Sequence, residues 1–108
     1  MNVAELAKHL GARVVCGDET HAVSGCYIGD LLSLAMSRVQ KDYVWITIQT
    51  NINVAAVASL TEAGCVLLCD GFSPDENMAK KADVEGIAVL CSESSAYDLA
   101  KKLSELGI

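Results

Sequence analysis

The chain has 108 residues, with 14 acidic and 8 basic side chains, a net charge of −6 and 52% hydrophobic residues. That is one globular domain, too apolar for disorder, and without a basic run beyond Lys80-Lys81 and Lys101-Lys102 it cannot track a phosphate backbone, which excludes nucleic acid as a partner. No apolar run approaches the ~20 residues of a membrane span, and the N-terminal stretch lacks a signal-peptide pattern, so the expectation is a cytoplasmic protein with no membrane contact.

Asn2-Val3-Ala4-Glu5 opens the first helix. Asn2 caps it, and Glu5 at its third position bonds back. Val3, Leu6, Ala7 and Leu10 recur at helical spacing, and Gly11 is the stop. Arg13–Cys16 reads as a short strand, residues 17–20 as a turn, and residues 22–26 as a second, weaker strand. Ile28, Leu31, Leu32, Ala35 and Val39 predict a helix over residues 29–38. Asp30 would then be a first-turn charge that complements the helix dipole.

Residues 43–48, Tyr-Val-Trp-Ile-Thr-Ile, carry the strongest strand signal, with Trp45 central in it as a core residue. The polar stretch Gln49-Thr50-Asn51-Ile52-Asn53 suits a strand-to-helix loop. Asn51 or Asn53 caps a helix over residues 54–63, which Gly64 ends. Cys65-Val66-Leu67-Leu68-Cys69 is apolar without alternation, as in a strand covered on both faces. Ser73-Pro74-Asp75-Glu76 places a Ser cap, Pro at the first helical position and Glu at the third, with a helix running to residue 85. Residues 87–91 form another apolar strand. Ser95 and Asp98 predict a capping box for a last helix with Ala96, Leu99, Leu103 and Leu106 on one face. Single helices between the later strands imply right-handed crossovers. The fold class is α/β: a single three-layer domain over residues 1–108, with a mostly parallel sheet of about five strands.

The standard catalytic signatures are missing. No two glycines are separated by one residue, and no GxxxxGK[ST] string occurs, so both common phosphate-cradling loops are excluded. His9 and His21 read as boundary and turn residues with no nucleophile beside them. Cysteines 16, 26, 65, 69 and 91 contain no CxxC pair and read as buried, reduced thiols. Cys65 and Cys69 on one strand face stand about 13 Å apart at ~3.3 Å per residue, too far for one metal ion. No catalytic residue, metal or cofactor is expected.

Binding chemistry is the remaining possibility. In an open parallel sheet, ligands bind beyond the carboxyl ends of the strands. Residues 47–53, 70–73 and 92–95 all stand at such exits and lead into helix N-termini, where free N–H groups favour an anion. The candidate ligand contacts are Thr47, Gln49, Asn51, Asn53, Asp70, Gly71 and Ser92. Ser73 and Ser95 read as caps. No arginine stands in these segments to grip a phosphate.

The segment Gly25-Cys26-Tyr27 with Asp30-Leu31-Leu32-Ser33, the strand Trp45-Ile46-Thr47-Ile48-Gln49 and the helix start Asn53-Val54-Ala55-Ala56-Val57-Ala58 together resemble a stand-alone DRTGG domain. The resemblance runs from about Val3 to Gly107. This group is similar to the N-terminal domain of HPr kinase/phosphorylase and, more remotely, to Mur-ligase N-terminal domains, which bind a uridine nucleotide. The string Asp-Arg-Thr-Gly-Gly itself is absent, and the family's signature loop aligns with residues 49–53. The resemblance implies a non-catalytic regulatory domain and a protein partner in a redox or hydrogenase-related system. The expected function is a homodimerising, protein-docking regulatory module. The alternative is a domain that senses a nucleotide-like or anionic metabolite at the strand ends.

Overall fold

The structure, a computed structural model, describes all residues from Met1 to Ile108. Its elements in chain order are α1 (Val3–Leu10), β1 (Arg13–Cys16), β2 (Cys26–Ile28), α2 (Leu32–Arg38), β3 (Val44–Thr47), α3 (Ile52–Leu60), β4 (Cys65–Leu68), α4 (Glu76–Val84), β5 (Ala88–Cys91) and α5 (Ala96–Glu105). One sheet of order β1-β5-β4-β3-β2 holds all five strands. β2 to β5 run parallel, and only β1, paired to β5, is antiparallel.

Alternation along the strands sends side chains to two separate cores. Trp45, Val66, Leu68 and Val89 face Val54, Ala58, Met78 and Ala82 of α3 and α4. Val44, Ile46, Cys65, Leu67 and Leu90 face Leu6 and Leu10 of α1 and Leu99 and Leu103 of α5. Every residue of β3, β4 and β5 is buried, which is why their sequences are continuously apolar. The three-layer α/β architecture is therefore the one the sequence predicts. No helix is long and apolar enough to cross a membrane.

Local signals carried the ends of the chain. Asn2 and Glu5 form the complete capping box of α1, with Gly11 in the left-handed conformation behind it. Ser95 caps α5 by accepting from the Asp98 N–H at 3.1 Å, which is half of the expected box. Asn51 caps α3.

Four elements differ in their boundaries from expectation, α3 among them, which covers Ile52–Leu60 instead of residues 54–63. The second strand begins at Cys26 instead of residue 22, because Gly25 has φ 76° and packs so close to Tyr43 that a Cβ there would stand 2.4 Å from the ring. Ala22 makes only a lone bridge to Asn2. α2 begins at Leu32 instead of residue 29. The Gly29 N–H still donates to the Ile46 carbonyl, so residue 29 continues the run of β2 beside β3. α4 begins at Glu76 with Asp75 as its cap, whose carboxylate accepts from the Met78 N–H at 2.7 Å. A carboxylate in that place outcompetes the Ser73 hydroxyl, and Ser73-Pro74 stays in the loop.

Candidate functional site at the carboxyl rim

All four parallel strands end on one rim, and their exit loops fall into two halves. The first is a chain of hydrogen bonds centred on Asp30. Its Oδ1 accepts from the Thr47 hydroxyl at 2.8 Å and from the Ile48 N–H at 3.0 Å. Its backbone carbonyl accepts from Gln49 Nε2 at 3.1 Å. Gln49 Oε1 accepts from Asn51 Nδ2 at 3.3 Å, and Asn51 Oδ1 accepts from the Asn53 N–H at 2.9 Å. Thr47, Gln49 and Asn51 are thus brought together and bound to one another. Asn53 joins through its backbone, and its residue is exposed.

Asp30 corrects the sequence reading. It does not sit in the first turn of α2 but two residues before it, and its carboxylate serves the β3 exit. The rule that residues beyond parallel strand ends form sites would have found it. A second strand over residues 22–26 puts its exit before Asp30, and the true strand, Cys26–Ile28, ends just ahead of it. Thr47 is buried, so its hydroxyl depends on that carboxylate. We expect Asp30→Ala to destabilise the fold by about 1–3 kcal/mol, the usual effect of orphaning a buried donor, and to lower the melting temperature by several degrees. A thermal melt unchanged from wild type would contradict this role.

The second half joins the β4 and β5 exits. Asp70 and Gly71 are successive residues with φ 56° and 79°, a tight left-handed turn. The Asp70 N–H donates to the Ser94 carbonyl and the Gly71 N–H to the Ser92 carbonyl, both at 2.9 Å. Ser92 Oγ accepts from the Ser94 N–H. Cys69 links the halves: its N–H donates to the Thr47 carbonyl, and its thiol lies 3.6 Å from Asp70 Oδ2. Burial, and then the Asp70 carboxylate, push that thiol's pKa up.

Beside this half opens a recess of about 150 Å³, lined by Gly11, Arg13, Gly71, Ser73, Cys91, Ser92 and Glu93. Gly71 and Ser92 reach it as predicted candidates. Arg13, Ser73, Cys91 and Glu93 were not among them. Arg13 lies outside the predicted exit segments and still supplies a guanidinium at this recess. The antiparallel β1 starts where β5 ends, with Arg13 opposite Cys91. The direction of a four-residue edge strand leaves no trace in local periodicity, so only the pairing reveals it. The histidines lie elsewhere. His21 Nε2 is 2.8 Å from Asp42 Oδ1, before the start of β3, and His9 is on α1 beside Lys102 and Glu105.

The family model of the DRTGG domain matches residues 5–106. The chain belongs to the DRTGG domain family. The namesake string is absent from this DRTGG domain, so membership rests on the whole pattern. No curated protein matches the chain. A solved structure with the same fold comprises the CBS and DRTGG domains of the regulatory region of Clostridium perfringens pyrophosphatase, complexed with its activator, diadenosine tetraphosphate. The TM-score is 0.72 at 8% identity, over 94% of this chain and 45% of that one. The likeness is one of fold, and this DRTGG domain spans less than half of that regulatory region.

Proposed function

We propose that this DRTGG domain is a non-catalytic regulatory module that acts by pairing with a second copy of itself and docking a protein partner. The observation that carries this is an apolar surface around the β2 exit. Ile28, Leu31, Leu34, Ile48 and Ile52 are all exposed, Leu31 by 64%. Ile28 ends β2 beside Ile46 of β3, Leu31 and Leu34 stand at the start of α2, and Ile48 and Ile52 flank the loop from β3 to α3. β2 is also the sheet edge, with three residues and one unpaired side. Exposed apolar residues concentrated along a sheet edge and its exit loops form a surface that water disfavours and a two-fold related copy would cover. Five free thiols support a reducing, cytoplasmic setting. A partner from a redox or hydrogenase-related system is proposed on the family resemblance alone.

Sedimentation velocity at micromolar concentration tests the pairing. The wild-type chain should sediment as a dimer. The double variant Leu31→Asp/Leu34→Asp should sediment as a monomer with an unchanged circular dichroism spectrum, its dimer weakened by at least ~30-fold. A monomeric wild type would remove the basis of the proposal.

The recess supports a second role, the sensing of a small molecule at the rim. It combines a guanidinium, two hydroxyls and backbone polar groups at strand exits, which is where ligands sit in open parallel sheets.

A further inference from the structure

We infer that the recess between β1, β5 and the β4 exit takes a small zwitterion of the α-amino-acid class, with its carboxylate on the Arg13 guanidinium and its ammonium on the Glu93 carboxylate. This deepens the sensing role and rests on it.

Size sets the first limit. A cavity of about 150 Å³ is the kind that holds a benzene-sized molecule. That is room for a compact metabolite.

Charge sets the second. The sheet order places β1 and β4 on opposite sides of β5. Arg13 enters the recess from β1. The Glu93 carboxylate lies over Gly71 on the β4 side, with Oε2 2.6 Å from where a Cβ on Gly71 would stand. The two charges therefore reach the recess from opposite walls. They form no ion pair with each other. The ion pairs of the chain are His21–Asp42, Lys80–Glu76 and Lys81–Glu85, and neither Arg13 nor Glu93 takes part in one. The Cys91 thiol at the floor registers both. Burial raises its pKa most, the Ser73 hydroxyl and Arg13 pull it down, and Glu93 pushes it up again.

These two walls discriminate. A plain anion would gain Arg13 and be repelled by Glu93. A plain cation would meet the reverse. A molecule with both charges a few ångströms apart satisfies both walls through charge-assisted hydrogen bonds, and Ser73 and Ser92 add polar lining. Gly71 is needed for the carboxylate to hold its place, and Gly11 leaves the mouth open, with nothing within 4 Å of where its Cβ would stand.

The test uses three molecules of similar size: L-alanine, propionate, which lacks the ammonium, and ethylamine, which lacks the carboxylate. Each is titrated into the isotopically labelled full chain while the amide resonances of Gly11, Gly71, Ser92 and Glu93 are followed by NMR. L-Alanine should shift them in a saturable way, and propionate and ethylamine should bind at least ~10-fold more weakly. Arg13→Gln and Glu93→Gln, both at exposed positions, should each weaken L-alanine by a similar factor, and Glu93→Gln should improve propionate. Propionate binding as tightly as L-alanine would overturn the zwitterion assignment and leave sensing of an anion in place. Diadenosine tetraphosphate shifting these amides while L-alanine does not would have the same meaning. No response to any of the four molecules would overturn the assignment and the sensing role together.

Discussion

Trp45→Ala should lower the unfolding free energy by about 3–5 kcal/mol, a large part of the ~5–15 kcal/mol that holds a typical domain. Trp45 is the largest fully buried side chain and sits in β3, the strand between β2 and β4. Its ring belongs to the core that α2, α3 and α4 close, and its Nε1–H donates to the Gly29 carbonyl at 3.0 Å. Alanine removes the packing and leaves that carbonyl without its donor. The loss falls on the weakest part of the sheet, since β2 has three residues and α2 has no side-chain cap. Hydrogen exchange should therefore show residues 26–38 opening first in the variant. Trp45→Phe retains most of the packing and should lose less. Guanidinium unfolding followed by circular dichroism gives the measurement, because Trp45 is the sole tryptophan and its fluorescence disappears with it. A loss below about 1 kcal/mol would mean that the ring is not the keystone of this core.

The same residues show why part of the molecule was legible in the sequence and part was not. Signals that act within one or two turns were read correctly. Asn2 with Glu5 and Asn51 at the start of α3 cap helices through bonds to residues two or three positions away. The unbroken apolar run of β4 announced a strand covered on both faces. The misreadings involve long-range partners. Gly25 ends one segment and admits β2 because Tyr43, far along the chain, lies against it. Asp30 is a rim residue because Thr47 and Ile48 donate to it across seventeen and eighteen positions. Arg13 joins Ser92 and Glu93 only through the β1–β5 pairing. Candidate residues could thus be named along the strand exits, yet their division into a hydrogen-bonded half around Asp30 and an open, charged half around Arg13 is a property of the assembled sheet. Thr47, Gln49 and Asn51 are largely occupied with one another, whereas Gly71 and Ser92 face the open recess.

Alkaline pH should destabilise the chain steeply, and the cysteines are the reason. Burial pushes the Cys65 thiol up to about 12 and the Cys26 thiol up to about 11, from an ordinary value of 9.0. Cys16, Cys69 and Cys91 shift in the same direction, each mainly through burial. A thiol whose pKa is raised in the folded state contributes its full share of stability below the unfolded value. That share is lost as pH rises from about 9 through the folded values. At pH 10 an unfolded thiol is mostly ionised while native Cys65 and Cys26 still hold their protons. Each then lowers the unfolding free energy by about 1.4 kcal/mol relative to neutral pH, roughly 3 kcal/mol for the pair. Guanidinium unfolding at pH 7.5 and pH 10 under reducing conditions measures the fall. Cys65→Ala isolates one contribution: whatever the variant loses in packing it loses at both pH values, but its drop between them should be smaller than wild type's by about 1.4 kcal/mol. An equal drop in both chains would mean that Cys65 ionises as freely in the folded sheet as in the open chain. That is incompatible with a thiol sealed between β4, α1 and α5. The thiolate is the reactive form, so the same burial should slow native Cys65 toward Ellman's reagent by about 1000-fold relative to the denatured chain. The pH profile and the reactivity thus report on one physical cause, the exclusion of water from the middle of a parallel sheet.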